Sequence, residues 1–355
     1  MGDPERFGAY VVHERLGAGG MADVHRAEHV AKDGTRRVVA LKRLRKAAAQ
    51  DKELRTWFAR EAKLSRYLTH ANIAETYEHG NIHGIYFIAM ELVVGPTLKL
   101  LVEQVARTVN TLPIPITLNI ASQMCEALDH AHTRHDERGR HLHIVHRDVC
   151  PANTILRRDG VVKVIDFGLA KVKGVDEDTG RGKLKGKFNY IAPEYLDGNA
   201  FDARADLWAL GVVMYELLTS RRLFDAPENF QTITRVRKLP IPRPSRANPI
   251  VSPELDDIVM TALERDPGRR WQTAAMLRDA LRGRMVQRGD PADDRHVAEW
   301  VQWVYDLKPG TEASGMAQLR RITAPHAAIP EPAPKPRAPT SRFARLKSRL
   351  FGSDD

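Results

Sequence analysis

The sequence predicts an α+β protein of two lobes, strand-rich first and mainly helical second. Three observations predict it. Short alternating runs fill the first 95 residues, apolar spacing turns helical from Thr97 onward, and Asp206–Ser220 is apolar almost all round. A helix with that last pattern belongs inside a protein rather than on its surface.

In chain order, the strand-like pieces are Tyr10–Leu16, Asp23–His29 and Arg37–Leu41, with a hairpin-like pair at Thr76–His79 and Tyr86–Leu92. Between them Asp51–Leu68 carries Leu54, Phe58, Ala62 and Ser65 at helical spacing. In the second lobe Thr117–Thr133 places Ile120, Met124, Leu128 and Ala131 on one stripe. A hairpin then interrupts the helices: Thr154–Arg157, an Asp159-Gly160 turn, and Val161–Ile165. Past Arg284 the character changes. Residues 286–312, with Trp300, Trp303 and Tyr305, predict one more docked helix at Val297–Leu307. Residues 313–340 form a proline-rich linker, and 341–355 a basic amphipathic tail.

Composition narrows the function classes. With 55 Lys+Arg against 45 Asp+Glu the net charge is +10, which favours acidic partners such as nucleotide phosphates, anionic lipid or acidic proteins. No nucleic-acid-binding signature accompanies it, so no specific nucleic acid is expected. Two cysteines, Cys125 and Cys150, are too few for a disulfide framework and fit a reducing cytoplasm. The N-terminus lacks the apolar core of a signal peptide, and Arg6 stands where a myristoylation signal needs Ser or Thr. No apolar run approaches the roughly 18 residues a bilayer requires.

Leu16-Gly17-Ala18-Gly19-Gly20-Met21-Ala22-Asp23-Val24 joins two strands, and glycines there let backbone amides approach phosphate oxygens. A plain tight hairpin is the competing reading. Val39-Ala40-Leu41-Lys42 ends a strand with a lysine, a cation for phosphates if a helix carboxylate holds it; Glu61 is a suitable partner. His146-Arg147-Asp148 and Asn153 precede the hairpin, and Asp166-Phe167-Gly168 follows it. Oxygen donors from Asn153 and Asp166 at the hairpin's base suit Mg²⁺, a hard ion, while Asp148 is placed to orient an attacking hydroxyl.

Together these residues resemble the protein-kinase signature: Gly-rich loop, strand lysine, helix glutamate, HRD loop, DFG, and APE, here Ala192-Pro193-Glu194. Asp206-Leu207-Trp208-Ala209-Leu210-Gly211 and Asp266-Pro267-Gly268-Arg269-Arg270-Trp271 extend the match, which covers about four-fifths of the chain. The resemblance is to bacterial serine/threonine kinases. It implies the bilobal protein-kinase fold over 7–285, with an N-lobe of about 7–92 and a C-lobe of about 96–285. It also implies ATP as co-substrate, Mg²⁺ (with Mn²⁺ an admissible substitute) and protein substrates, the chain itself included.

By the same resemblance, Lys42 holds ATP phosphates and Glu61 holds Lys42. Asp148 takes or orients the substrate hydroxyl, Asn153 and Asp166 hold the metal, Asp206 braces the HRD backbone and Arg270 pairs with Glu194. Leu16, Val24, Ala40 and Leu156 are carried over to the nucleotide site. Met90 sits behind the adenine, and the backbones of Glu91 and Val93 face its edge.

The sequence departs from the family at two facing positions. Cys150 replaces the lysine usual two residues after the catalytic Asp, and Lys187 replaces the usual Thr after Gly186. Lys187 either supplies the missing ammonium or is a surface lysine of a basic loop. Thr179, the single hydroxyl residue of Leu169–Lys185, is a phosphorylation candidate, with Arg147 placed to bind the phosphate. Six histidines crowd residues 130 to 146, but His146 belongs to the HRD loop and Asp136–Arg140 reads as an exposed insertion, so a metal site is not expected there. The tail sets Arg342, Arg345, Lys347 and Arg349 against Phe343, Leu346, Leu350 and Phe351, which suits an acidic partner or an anionic membrane surface. A nucleotide-binding pseudokinase scaffold is the alternative to an active enzyme.

Overall fold

In strand β4, Arg36–Leu44, neighbouring residues are buried on opposite faces of the sheet, and this builds both sides of the first lobe. Val39 and Leu41 join Phe7, Tyr10, Val12, Ala27, Phe87 and Ala89 in one apolar cluster. Leu44 joins Ala22, Phe58, Ala62 and Ile88 in a second cluster, on the side of the long N-lobe helix. The computed structural model describes residues 5–19, 21–167, 188–289 and 292–307, with positions 318 and 322.

The sheet is antiparallel and six-stranded, in the order β1-β2-β3-β4-β6-β5. Its other strands are β1 (Glu5–Phe7), β2 (Tyr10–Ala18), β3 (Ala22–Val30), β5 (Thr76–Ile82) and β6 (Ile85–Glu91). After β4 come a short helix α1 (Lys46–Gln50) and α2 (Lys52–Ser65). Asp51 caps α2 by accepting from the amides of Glu53 and Leu54 at 2.8 and 3.2 Å. The buried face of α2 is Phe58, Glu61 and Ala62, so a carboxylate shares the apolar stripe.

The second lobe opens with α3 (Leu98–Thr108) and α4 (Ile114–His132). A two-stranded hairpin, β7 (Thr154–Leu156) and β8 (Val162–Val164), follows. Next come α5 (Pro193–Leu196), α6 (Arg204–Thr219), α7 (Asn229–Lys238), α8 (Pro253–Ala262), α9 (Ala274–Arg288) and α10 (Asp294–Asp306). Helix α6 is buried from Asp206 to Thr219, and α4, packed between α6 and α9, is nearly as buried. The fold is the bilobal α+β kinase fold.

The five predicted N-lobe strands and the helices at 51–68, 117–133, 206–220 and 297–307 are all present, most running a few residues past the predicted ends. The edge strand β1 and helix α1 had no sequence signal, being three and five residues long. Gly20, Gly168, Thr179 and Lys187 lie outside the described residues, as do the linker and the basic tail apart from Gln318 and Ile322.

Candidate active site

Lys42 stands on β4 with its ammonium 2.7 Å from Glu61 Oε1 and 2.8 Å from Asp166 Oδ1. One strand, one N-lobe helix and the segment after β8 therefore meet at a single cation. Burial alone would lower the Lys42 ammonium's pKa, but the two carboxylates outweigh it and hold it above the ordinary lysine value.

The catalytic-loop residues are fixed from below by α6. The Asp206 carboxylate, 1% exposed, accepts from the amides of His146 and Arg147 at 2.7 and 2.8 Å, and pairs with His132 Nε2 at 2.8 Å. Burial favours the neutral acid, yet these donors hold Asp206 below the usual carboxylate range. The His146 ring lies 4.4 Å from the Phe167 ring, its Nδ1 meeting the Asp148 amide at 3.2 Å and its Nε2 the Ile165 carbonyl at 3.2 Å. An amide only donates and a carbonyl only accepts, so the ring must carry its proton on Nε2.

Asn153 closes the loop, its amide nitrogen donating to the Asp148 carbonyl at 2.9 Å and to Asp148 Oδ2 at 2.8 Å. Both N–H groups face Asp148, which turns the amide oxygen the other way. That oxygen and the Asp166 carboxylate flank the β7–β8 hairpin in sequence, and both are hard oxygen donors of the kind Mg²⁺ takes. Arg147 and Asp166 have φ of 66° and 56°, left-handed values that cost a non-glycine residue about 1–3 kcal/mol.

Ala40 lies opposite Met90 across the β4–β6 pair, and Val24 opposite Lys42 across β3–β4. Leu156 on β7 is buried and partly buried Val93 follows β6; Leu16 is nearly half exposed. In the glycine loop, the Gly19 amide donates to the Ala22 carbonyl at 2.8 Å, closing the turn after Gly17-Ala18. Met21 packs toward the cluster of Ala22 and Phe58. Glu91 turns its side chain to Lys163 on β8, at 2.8 Å. Glu194 and Arg270 pair through both guanidinium nitrogens, at 2.8 and 2.6 Å. Cys150, partly buried, sits between Asp148 and Asn153, its carbonyl accepting from the Asn153 amide at 3.1 Å.

Several residues here escaped the sequence reading. Gly95 is required because a Cβ there would lie 1.9 Å from the Leu156 carbonyl oxygen; its signal was the Gly95-Pro96 pair after an apolar strand. His132 was hidden in a run of histidines. Besides His146, the others in that run are His130, tilted against the His70 ring at 4.7 Å, and His135, His141 and His143, in ring contact at 5.0 and 4.3 Å.

Glu216 on α6 was also missed. Tyr190 donates to its Oε2 at 2.8 Å, and its buried Oε1 has no hydrogen-bond partner among the described residues. Burial pushes its carboxyl from 4.5 up to about 7. A raised acid favours folding fully below 4.5, and that contribution is lost as pH rises through about 7. Glu216→Gln keeps an acceptor for Tyr190 without the titration. Its melting temperature relative to wild type is expected to rise between about pH 5 and 7 and then level off. A difference independent of pH by scanning calorimetry would refute this.

Fold and site together are those of the protein-kinase class. The chain belongs to the protein kinase family: the family's protein kinase domain matches residues 10–281. It is 31% identical over 318 residues to the tyrosine-protein kinase MasK of Myxococcus xanthus, covering 90% of this chain and 49% of MasK. It is 35% identical over 267 residues to the serine/threonine-protein kinase PrkC of Bacillus subtilis, covering 75% and 39%. The crystal structure of the Mycobacterium tuberculosis PknI kinase domain aligns with a TM-score of 0.59 at 28% identity, over 80% of this chain and 98% of that one. The chain spans about half or less of the length of these curated relatives. Among the described residues no helix is long and apolar enough to cross a membrane.

Proposed function

We propose that this chain transfers the γ-phosphoryl group of ATP to serine and threonine hydroxyls of proteins, itself included. The observation that carries the reading is Lys42 held between Glu61 and Asp166 at 2.7 and 2.8 Å. A lysine so placed presents a fixed cation to ATP phosphates, and its alignment costs nothing when the nucleotide arrives. Val24, Ala40, Met90 and Leu156 enclose the adenine, with the backbones of Glu91 and Val93 at its edge. Leu16 and the loop from Gly17 to Ala22 cover the phosphates.

Asn153 and Asp166 would hold Mg²⁺, which when bound would neutralise charge on the transferring phosphoryl group. Asp148 accepts the substrate hydroxyl's proton on its carboxylate as the new P–O bond forms and the bond to ADP breaks. Asn153 holds that carboxylate in place through its 2.8 Å hydrogen bond. The complete set of Lys42, Glu61, Asp148, Asn153 and Asp166 favours turnover over a scaffold role.

Control by phosphate is part of the proposal. Arg147 Nε and Nη1 are buried without a hydrogen-bond partner among the described residues, and the guanidinium lies 5.1 Å from the Phe201 ring centre. Burial first, and the Arg60 cation next, lower its pKa, so an anion there is favoured. Phospho-Thr179 is the anion we assign to it. Lys187 is retained as the cation replacing the one lost at Cys150. The basic tail is assigned to an acidic partner or anionic membrane surface, and a cytoplasmic setting agrees with only two cysteines in the chain.

Acceptor choice is tested by hydrolysing the protein after reaction with γ-labelled ATP. Phosphoserine and phosphothreonine are expected. Label confined to phosphotyrosine, the acceptor in the name of the MasK relative, would overturn the serine/threonine assignment.

A further inference from the structure

Helix α10 begins 13 residues beyond the matched kinase domain, yet it is built into the active-site hairpin. Val297, Trp300 and Val304 are fully buried and Val301 nearly so, on the side facing α3 and α4. Its first turn is fixed by a reciprocal cap: the Asp293 side chain accepts from the His296 amide at 3.0 Å, and the His296 ring from the Asp293 amide at 3.1 Å. This places Asp294 against the tip of the β7–β8 hairpin. Gly160 forms that tip with φ 83°, and a Cβ on it would lie 1.8 Å from the Asp294 carbonyl oxygen.

The joint is polar and satisfied on every side. Asp294 Oδ1 accepts from Gln123 at 3.0 Å and from Asn119 at 3.2 Å, while Asn119 also donates to the Ala292 carbonyl at 3.0 Å. Gln123 donates in addition to the Gly160 carbonyl at 3.2 Å and to Asn119 Oδ1 at 2.7 Å. Its oxygen accepts from the Val162 amide and from Asn72, both at 2.8 Å. A carboxylate can only accept and a backbone amide can only donate, so the orientation of the Gln123 amide is dictated by its neighbours. At the far end of α10, Gln104 on α3 donates to the Val304 carbonyl at 3.2 Å.

The hairpin is a lever. Asn153 and Asp166 stand just outside its two strands, seven and six residues from Gly160, roughly 20 Å along the chain at about 3.3 Å per residue. Rotation at the tip therefore displaces both metal donors. We propose that α10 is a positioning part of the nucleotide–metal site, with Asp294 and Gln123 holding the Gly160–Val162 edge of the hairpin and thereby setting Asn153 and Asp166. This rests on the kinase reading of the site and extends it to residues outside the matched domain.

The test is Mg²⁺-dependent binding of a fluorescent ADP analogue to the full chain, beside amide hydrogen exchange at Val162. Asp294→Ala is expected to raise the half-saturating Mg²⁺ about tenfold, the scale seen when groups behind metal ligands are removed, and to speed Val162 exchange. Asp294→Asn, which keeps an accepting oxygen, should return the Mg²⁺ requirement to within about threefold by the same reasoning. Arg295→Ala, a neighbouring exposed position, should leave it unchanged.

Coupling is reciprocal, so Mg²⁺ with ADP must slow amide exchange in the first turn of wild-type α10. That measurement needs no variant and stands even if Asp294→Ala fails to fold. Unaltered α10 exchange, or a Mg²⁺ curve for Asp294→Ala that superimposes on wild type, would overturn the positioning role alone. A wild-type protein that binds no Mg²⁺–ADP would overturn the site reading and this inference with it.

Discussion

Asp148→Asn is expected to lower the initial rate of phosphoryl transfer by about 10²- to 10⁴-fold, the range general-base groups supply, while ATP affinity and folding change little. The substitution is nearly isosteric. The Asn153 amide donates to Asp148 Oδ2 at 2.8 Å and to the Asp148 carbonyl at 2.9 Å; the oxygen of the new side-chain amide can still accept the first bond, and the second is untouched. What disappears is a basic oxygen for the hydroxyl proton. The brace beneath, from Asp206 to the His146 and Arg147 amides, stays in place. Labelled-ATP incorporation into a generic protein substrate, with nucleotide binding followed in parallel, separates the two effects. A rate within about threefold of wild type would remove Asp148 from the chemistry. Lys42→Met is a poorer probe, because it would leave the Glu61 and Asp166 carboxylates facing one another without their shared cation.

The same geometry explains what was legible in advance. Lys42, Glu61, Asp148, Asn153 and Asp166 lie in short segments whose spacing is set by one strand, one helix turn or one hairpin, so local pattern carries them. Residues that hold those segments together are joined across long stretches of chain. Gln123 meets Asn72 at a separation of 51 residues and Asp294 at 171, and no local period marks such a contact. Period-two alternation alone would put Lys163, between Val162 and Val164, on the solvated face of its strand. Yet it is 6% exposed, because the Ile73 carbonyl and the Glu91 carboxylate close over it at 3.1 and 2.8 Å. The charged groups that would meet the nucleotide are thus visible in the sequence, and the struts behind them become visible only when the chain is folded.

Arg270→Ala is expected to destabilise the fold by about 3–5 kcal/mol, the cost of removing one member of a buried ion pair. The Arg270 side chain has no exposure, and each of its N–H donors has an acceptor. Nη1 serves Glu194 Oε1 and the Arg204 carbonyl, Nη2 serves Glu194 Oε2 and the Arg265 carbonyl, and Nε serves the Glu264 carbonyl at 2.6 Å. The guanidinium also lies 5.2 Å from the ring centre of buried Trp208. Truncation leaves the buried Glu194 side chain without its paired cation, and frees three carbonyls besides. Lysine cannot replace the planar fork, so Arg270→Lys should recover only part of the loss. Against a total stability of about 5–15 kcal/mol the change is large enough to read from a single denaturant midpoint. Pairing it with Glu194→Gln in a double-mutant cycle isolates the ion pair, and a cycle term below about 0.5 kcal/mol would show the two residues acting independently. Glu194 lies in the first turn of α5, four residues after Tyr190 of the Phe188–Tyr190 turn. Loss of the pair should therefore loosen Tyr190 from Glu216 before it disturbs Lys42, and activity at low temperature should outlast the drop in melting temperature.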